Sequence, residues 1–420
     1  MIKHYLLQIL TSIHCNIRTM ERNVSNLCLF AAGTVLCLIY ITSNGLDDNN
    51  YKADRDIDDL TEEYTRPYIP NSTVKQIHEE RRHLLKEQCI KQQSSRENQN
   101  ILDKVVHTDD FYIDDIHQMI YCRVPKIGCT LFKRIMYVIN GNTISIDPYD
   151  IPPLIAKDLP IKRFENYSRQ QVEYMLKHYT KVLIVRDPLD RLISGYFDKL
   201  YSINPNFWYK AGAPAINIFR KHISSWKSKQ CGFDTTFEEF LLHIIHRYAN
   251  RIPLNKHWRS IYDMCFPCNI NYDIIGHIET YSKDISHILG TIHAEHSIKM
   301  RSNYSRLENI HREVDIMFRG YPTACGLTKK QLLNRILGGL ETRGYIKLDN
   351  QERRNLLQGE IESDVLKSKL TEIYYKKPNP EKGFKDLRKT VLHKIPLEIL
   401  KAIQSIYKHD LRLFGYENFV

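Results

Sequence analysis

The sequence lacks the patterns that mark several common functional classes. It contains no internal repeat, no low-complexity tract and no recognised nucleic-acid-binding motif, so its net charge of +11 does not by itself indicate a nucleic-acid partner. Its lone CxxC pair, Cys265 and Cys268, has no second pair at zinc spacing and no thioredoxin pattern around it. We therefore expect no metal site and no nucleic-acid partner, and we expect disulfide or buried structural roles for these two cysteines.

A basic turn lies between a strand pattern and a helix pattern in residues 119–134. The apolar run Met119–Val124 predicts a buried strand, and the apolar spacing of residues 131–139 predicts an amphipathic helix with Thr130 as its N-cap. Lys126 lies inside the turn, where free helix N–H groups and the positive end of the helix dipole favour an anion. The turn lacks the GxxxxGK[ST] spacing of a P-loop, which argues against an ordinary nucleotide triphosphatase. A solvated basic turn is the plain alternative.

A second strand–turn–helix pattern occupies Lys181–Leu200. The β-branched run Val182–Val185 predicts a core strand. Asp187 suits the N-cap of the following helix, Pro188 suits its first position, and Asp190 stands where a capping-box acid belongs.

Two side chains of this second pattern suit phosphate binding. Arg186 follows the strand at its carboxyl end, where open α/β sheets bind ligands, and its guanidinium can donate two hydrogen bonds to one phosphate. Ser194 can add a hydroxyl donor. A surface ion pair between Arg186 and Asp187 is the alternative. Two such patterns in one domain predict a ligand with phosphates at two places.

Together the two patterns resemble motifs of the Golgi carbohydrate sulfotransferases, which include chondroitin and dermatan 4-O-sulfotransferases and the natural-killer-epitope glucuronyl sulfotransferase. In that family, motifs similar to RVPKIGCTLFKR and RDPLDRLISGYF bind the 5′-phosphosulfate and the 3′-phosphate of 3′-phosphoadenosine 5′-phosphosulfate. Three further stretches match the family pattern: Arg81–Cys89, His257–Thr280 and Ile406–Glu417. The chain departs from the pattern at Leu131–Phe132, where relatives carry Asn-Trp, and residues 300–394 do not align with it.

The resemblance implies a fold and a set of donor-binding residues. The fold would be α/β, a P-loop-like three-layer sulfotransferase domain with a central parallel sheet, preceded by one transmembrane helix. Lys126 would be the principal cation at the phosphosulfate, and Arg186 and Ser194 would contact the 3′-phosphate directly. The full set of residues implied to bind the donor is Val124, Pro125, Lys126, Ile127, Gly128, Cys129, Thr130, Arg186, Asp187, Pro188, Leu189, Asp190, Arg191, Leu192, Ile193 and Ser194.

Sulfuryl transfer needs a cation at the leaving oxygen and a base at the attacking hydroxyl. We predict Lys126 as the catalytic cation and His257 as the base, with no metal, because the reaction can run on positioning and cations alone. A structural pair with Trp258 is the alternative role for His257. Other candidate bases are His243, His246, His277, Glu238 and Glu279.

The predicted reaction is transfer of a sulfuryl group to a glycan hydroxyl. The resemblance favours position 4 of N-acetylgalactosamine in chondroitin- or dermatan-type chains, and the basic net charge fits an anionic glycan acceptor. Sulfation of another sugar, such as a terminal glucuronate or a glycoprotein N-acetylgalactosamine, is one alternative, and a glycan-binding protein without catalysis is another. A kinase is disfavoured, because the first turn offers no Mg²⁺-binding acid and no hydroxyl after the lysine.

The N-terminal region predicts a membrane anchor. Residues 23–46 carry no charge, basic residues precede them and acidic residues follow them, which predicts a single-pass type II protein of the Golgi membrane with a lumenal catalytic domain. A cleaved signal peptide is the alternative. We divide the chain into a cytosolic tail (1–23), a transmembrane signal-anchor (24–42), a stem (43–100) and a lumenal sulfotransferase domain (101–420).

Other local patterns concern glycosylation, disulfides and the ends of helices. The acceptor sequons at Asn71, Asn166 and Asn303 would lie in the lumen and be open to glycosylation. The seven cysteines after the anchor are odd in number, so at least one should stay outside intrachain disulfides. Capping boxes are predicted at Thr235/Glu238 and Thr328/Gln331, and one final amphipathic helix is predicted over Leu397–Phe414.

Overall fold

The computed structural model describes residues 72–92, 101–222, 225–301, 304–319, 324–376 and 384–417. The predicted tail, the predicted transmembrane span (24–42) and the sequons at Asn71 and Asn303 lie outside these ranges. Within them, no helix combines the length and the apolar character needed to cross a membrane.

A four-stranded sheet lies at the centre of the fold. Its strands, in spatial order, are β1 (Phe111–Asp114), β2 (Met119–Cys122), β3 (Thr180–Val185) and β4 (Ile274–His277). β2, β3 and β4 are parallel, which confirms the α/β class. These three strands form the predicted central parallel sheet. β1 differs from them, because it lies antiparallel to β2 at the edge of that sheet. The four-residue connection 115–118 explains the difference, because a link this short joins only antiparallel strands.

The described part of the chain also contains nineteen helices, of which some pack on the sheet and others form a second, helical hydrophobic core. The first twelve are α1 (Ser72–Gln92), α2 (Ile101–Val106), α3 (Cys129–Ile139), α4 (Pro153–Ala156), α5 (Arg169–His178), α6 (Pro188–Tyr196), α7 (Pro205–Phe207), α8 (Ala213–Phe219), α9 (Trp226–Cys231), α10 (Phe237–Ala249), α11 (Ile261–Cys265) and α12 (Tyr281–Thr291). The others are α13 (Tyr304–Phe318), α14 (Lys329–Thr342), α15 (Asn350–Leu357), α16 (Ser363–Lys376), α17 (Phe384–Leu392), α18 (Leu397–Ile406) and α19 (Lys408–Phe414). Two π-helical turns, Phe197–Tyr201 and Trp208–Gly212, continue α6 and α7.

Helix α1 lies within the segment predicted as a stem, yet it packs on the sheet. Arg81 donates a hydrogen bond of 2.9 Å to the carbonyl oxygen of Ile275 in β4 and forms an ion pair of 3.1 Å with Asp284. A disulfide joins Cys89 of α1 to Cys268. Residues 72–92 are therefore fixed to the α/β domain.

The remaining cysteines follow the disulfide expectation. Cys265, the other half of the CxxC pair, is bonded to Cys122, and a third disulfide joins Cys231 to Cys325. Cys129 is the free thiol among the described cysteines, in agreement with the odd count.

Two predicted helix boundaries are wrong and one is confirmed. The box that caps α10 uses Thr236 and Glu239, because the hydroxyl of Thr235 is buried and donates to the carbonyl oxygen of Gly232 instead. The box of Thr328 and Gln331 before α14 is confirmed. The final helix is broken at Tyr407 into α18 and α19.

Candidate active site

The two predicted anion-binding turns follow adjacent parallel strands. Cys122 of β2 pairs with Leu183 of β3, so both turns leave the sheet at its carboxyl edge. In the second turn the carboxylate of Asp187 accepts a hydrogen bond of 3.0 Å from the backbone N–H of Asp190. This confirms the predicted cap of α6, with Pro188 at its first position.

The first turn contains two residues with left-handed backbone conformations. Lys126 and Gly128 both have positive φ angles, 75° and 83°. Gly128 is the N-cap of α3, which begins at Cys129, so the prediction of Thr130 as the cap is wrong. A side chain at Gly128 would be strained by the positive φ, and its Cβ would lie 3.0 Å from the ring of Tyr281. The glycine therefore sets where the turn ends and the helix begins.

Both turns open into one cavity of about 540 Å³. Four of the residues implied to bind the donor line it, namely Lys126 and Gly128 from the first motif and Arg186 and Ser194 from the second. The structure thus brings together the three side chains that the sequence analysis considered most important. The cavity is also lined by Asp198.

The other residues implied to bind the donor lie beside the cavity. Thr130 is exposed and Cys129 is half-buried. Asp190 is also half-buried, and burial next to Asp187 raises its pKa to about 6. The rest are buried within the two turns and helix α6, namely Val124, Pro125, Ile127, Asp187, Pro188, Leu189, Arg191, Leu192 and Ile193.

Two arginines of the second motif brace the first turn. Arg186 donates through Nη1 to the carbonyl oxygen of Lys126 at 3.1 Å. Arg191 is fully buried, and it donates to the carbonyl oxygens of Pro125 at 3.0 Å and Lys256 at 2.9 Å. The hydrogen bonds of the Arg191 guanidinium therefore go to carbonyl oxygens of the protein. They fix the first turn relative to the chain segment that precedes His257.

The ammonium group of Lys126 belongs to a compact charge cluster. Asp198 lies 3.0 Å from the Nζ of Lys126, 2.9 Å from the Nζ of Lys199 and 2.9 Å from Nη1 of Arg312. Burial lowers the pKa of Lys126 to about 8, against the attraction of Asp198 and with the repulsion of Arg312 and Lys199. Burial would raise the pKa of Asp198, but the three cations outweigh it and hold that pKa well below its usual range.

Part of the cavity wall was not found from the sequence. It includes Ser305, Arg306, Asn309 and Arg312 of helix α13, together with Arg343. These residues lie in the segment 300–394, which did not align with the family pattern. The spacing of Ser305, Asn309 and Arg312 places three hydrogen-bond donors on one helical stripe, which is a local signal that could have been noticed.

Arg312 is held by its carboxylate partners but is not saturated by them. Its Nη1 pairs with Asp198, and its Nη2 lies 3.6 Å from Glu313. Its Nε is buried and has no hydrogen-bond partner among the described residues. A buried guanidinium N–H with no partner, on a side chain that lines a cavity, is a position where a ligand oxygen would be stabilising.

His257 lies next to this cluster and does not line the cavity itself. Its Nδ1 is 2.7 Å from the Oδ1 of Asn255, and that same oxygen accepts the backbone N–H of His257 at 3.0 Å. Because a backbone N–H can only donate, the shared atom is an oxygen and Nδ1 carries the proton. Burial and the nearby Lys199 lower the pKa of His257 to about 3, so the ring is neutral with a free lone pair on Nε2.

Of the other candidate bases, His243 is buried and His277 is half-buried, and both rings are neutral. Burial lowers the pKa of each to about 4. Neither lines the cavity. No group of three or more histidine, cysteine, aspartate or glutamate side chains in the described ranges is arranged to hold a metal ion.

The geometry agrees with the comparison to known proteins. Residues 109–376 match the model of the sulfotransferase family, and the chain belongs to that family. The matched region contains both motifs and the helix α13 wall, and it confirms the family predicted from the two motifs.

Several curated relatives have similar sequences. The chain is 32% identical to carbohydrate sulfotransferase 11 of Rattus norvegicus over 235 residues, which are 55% of this chain and 66% of that protein. It is 32% identical to carbohydrate sulfotransferase 11 of Danio rerio over 247 residues, 58% of this chain and 69% of that protein. It is 29% identical to carbohydrate sulfotransferase 9 of Homo sapiens over 263 residues, which are 62% of this chain and 58% of that protein. The chain thus spans just under two thirds of the rat relative. No solved structure is significantly similar to it.

Proposed function

We propose that this chain is an enzyme that transfers a sulfuryl group from 3′-phosphoadenosine 5′-phosphosulfate to a hydroxyl of a glycan. The observation that carries the proposal is that Lys126, Arg186 and Ser194 line one cavity, although 60 residues separate the first two in sequence. The printed names of the relatives, which are carbohydrate sulfotransferases, support a glycan as the acceptor class. We assign the domain to the P-loop-like three-layer type, because both anion-binding turns follow adjacent parallel strands.

The residues of the cavity fit this donor. The unpartnered Nε of Arg312 and the surplus of cations around Asp198 both suit a ligand rich in anionic oxygens. Lys126 and the backbone of the first turn would hold the phosphosulfate end, and Arg186 and Ser194 would hold the 3′-phosphate. The donor supplies the sulfuryl group and a phosphate leaving group. The glycan supplies the attacking hydroxyl, and groups of this chain bind and orient both substrates.

Lys126 is the catalytic cation in this proposal. Its ammonium group lies at the cavity wall and is oriented by Asp198, so it is ready to neutralise the negative charge that develops on the bridging oxygen as the sulfur–oxygen bond breaks. Arg191 supports it indirectly as a positioning residue, because it ties Pro125 to Lys256. The turn of Lys126 and the segment of His257 are thereby held at a fixed separation.

His257 is the proposed base. The bond to Asn255 fixes the tautomer that leaves Nε2 unprotonated, which is the form that can accept a proton from a sugar hydroxyl. Its low pKa is caused by burial and by nearby cations, chiefly Lys199. An anionic donor next to those cations would raise the pKa of His257 towards the value that suits proton transfer.

For the acceptor, we propose an anionic glycan, with position 4 of N-acetylgalactosamine in chondroitin- or dermatan-type chains as the first choice. Arg306 and Arg343 support an anionic acceptor, because they add cations to the cavity beyond Lys126, Arg186 and Arg312. We further propose that residues 24–42 anchor the chain in the Golgi membrane with the catalytic domain in the lumen. The charge asymmetry around that segment supports this orientation.

The test is a transfer assay with the purified full-length protein. It is incubated with radiolabelled donor and a panel of desulfated glycans that includes chondroitin, dermatan, a glucuronate-terminated oligosaccharide and a neutral N-acetylgalactosamine oligosaccharide. Label should appear in a chondroitin-type acceptor and be released as a 4-O-sulfated sugar. Binding of both donor and glycan without any transfer would replace the enzyme by a glycan-binding protein.

A further inference from the structure

Two large aromatic side chains lie exposed on the same surface, away from the cavity. Trp226 at the start of α9 is 71% exposed and Tyr209 is 52% exposed. Both line a shallow groove of about 460 Å³ with Asn217, Lys229 and Gln230. We call these five residues the Trp226 surface. Aromatic faces beside amide and ammonium groups suit a sugar chain, whose rings have apolar C–H faces and polar rims.

The charge of this region is of one sign. Residues 199–233 contain no aspartate or glutamate, and they include Lys210, Lys221, Lys227 and Lys229. The next acid along the chain, Asp234, is neutralised by Arg220 at 2.7 Å. The Trp226 surface is therefore electropositive, which favours an anionic polymer over a neutral one.

The groove is held rigidly. Helix α9 lies against the π-helical turn that contains Tyr209, because Gly212 and Gly232 allow their two backbones to touch, and a Cβ on either glycine would clash with main-chain atoms of the other segment. The disulfide between Cys231 and Cys325 fixes the end of α9. A rigid platform loses little conformational entropy when it binds a flexible chain.

The chain segment that carries Tyr209 also contacts the proposed base, His257. The ring of Phe207 lies edge-on to the ring of His257, with centroids 5.2 Å apart, and the Nζ of Lys199 is 5.3 Å from the centroid of the Phe207 ring. Tyr209 is only two residues further on, so its Cα lies within about 7.6 Å of that of Phe207. A polymer with one sugar at His257 would therefore have only a short stretch of this segment to cover before it reached Tyr209.

We propose that the Trp226 surface is a second glycan-binding site, which holds an anionic polysaccharide acceptor at sugars remote from the one that is sulfated. The proposal rests on the proposed function for the identity of its ligand. Trp226 and Tyr209 stack on sugar rings, and Lys229 pairs with carboxylate or sulfate groups along the chain. A long acceptor gains this contact, and a short one that fills only the active site does not.

Tryptophan fluorescence tests the surface directly, without any need for activity. The chain has three tryptophans, and Trp208 and Trp258 are 0% and 2% exposed, so acrylamide quenches Trp226 almost alone. Polymeric desulfated chondroitin should protect the full-length protein from quenching, and a chondroitin tetrasaccharide at the same sugar concentration should not. Unchanged quenching with the polymer would overturn the proposal, whatever the protein's activity.

Kinetics give the second readout. Trp226→Ala should raise the KM for polymeric chondroitin by about 2- to 10-fold, the range of one aromatic contact, while the KM for the tetrasaccharide and for the donor stays at the wild-type value. Lys229→Glu should act in the same direction. Tyr375→Ala is the matched control, since Tyr375 is 67% exposed but lies outside the Trp226 surface.

The outcomes separate the two proposals. An equal rise in KM for the polymer and the tetrasaccharide, or no rise for either, would overturn the second site while leaving the enzyme intact. A wild-type protein that sulfates no glycan would refute the proposed function instead. The quenching experiment would then still decide whether the surface binds the polymer.

Discussion

Replacing Lys126 by alanine separates an enzyme from a binding protein. Lys126 is proposed to act on charge that appears only as the sulfur–oxygen bond breaks, so its loss should reduce turnover more than it weakens donor binding. We expect Lys126→Ala to transfer sulfate at about a hundredth of the wild-type rate or less, the scale seen when one preorganised donor is lost from an active site. Its affinity for adenosine 3′,5′-bisphosphate should fall only modestly, because Arg186 and Ser194 remain at the cavity wall.

The structure predicts that the variant keeps its fold. Removing the sole partner of a buried charge costs about 3–5 kcal/mol, but Asp198 would still hold Lys199 and Arg312, each at 2.9 Å. The loss of stability should therefore be clearly smaller than that range. The backbone at Lys126 is held independently, through the hydrogen bond that its carbonyl oxygen accepts from Arg186.

The assay is a comparison of single-turnover transfer rates with calorimetric binding of the bisphosphate. Lys133→Ala is the matched control, since Lys133 belongs to the same motif but donates to the carbonyl oxygen of Lys157 at 2.8 Å and does not line the cavity. It should lose some stability and keep its transfer rate. Lys126→Arg should restore little activity, because a planar guanidinium does not replace a compact ammonium group. Normal transfer by Lys126→Ala would refute this role for Lys126.

Four further predictions concern phosphate binding, the pH dependence of the donor reaction, the stability of the fold and the membrane orientation. Arg186→Ala should weaken bisphosphate binding by about 1.5–3 kcal/mol and Ser194→Ala by less, and unchanged calorimetric affinity in the folded Arg186 variant would refute the assignment. Since Lys126 must be protonated to attract the donor and its pKa in the free enzyme is about 8, kcat/KM for the donor should fall above pH 8, and Lys126→Arg should move that fall to higher pH. Asp410 accepts two backbone N–H bonds at the start of α11, each 2.8 Å, so Asp410→Asn should leave one buried donor unsatisfied and reduce the free energy of unfolding by about 1–3 kcal/mol in denaturant titrations. Asn166 is exposed and should carry an endoglycosidase-sensitive glycan, whereas cleavage of the C-terminal domain by protease added outside sealed microsomes would reverse the predicted orientation.

The sequence predicted the structure correctly where the signal lies in a few consecutive residues. Strand β3, the Asp187 cap and the helix spacing of α6 each depend on a few consecutive residues, and the structure confirms all three. The structure adds that β2 and β3 pair side by side, which brings Lys126, Arg186 and Ser194 to one cavity.

The other half of the cavity could not be predicted in this way. Arg312 reaches Asp198 across 114 residues of sequence, and that pairing is decided by how α13 packs against the turn after α6. Nothing in the sequence around Asp198 marks it as the partner of Arg312. The position of Gly128 shows the same limit on a smaller scale, because a left-handed turn beside Tyr281 moved the start of α3 to Cys129.

The charge cluster explains why an anionic ligand belongs in this cavity. Lys126, Lys199 and Arg312 surround the carboxylate of Asp198, and Glu313, the second carboxylate near Arg312, also pairs with Arg343. Four cations therefore face two carboxylates, an excess of two positive charges in a site that is largely shielded from water. Burial lowers the pKa of Lys126 to about 8, and repulsion from the like charges of Arg312 and Lys199 adds to that effect. A ligand with two or more negative charges relieves the repulsion on binding. The protein without ligand therefore carries unfavourable electrostatic energy at the place where the phosphosulfate would lie. Asp198 holds Lys126 in position until the ligand binds.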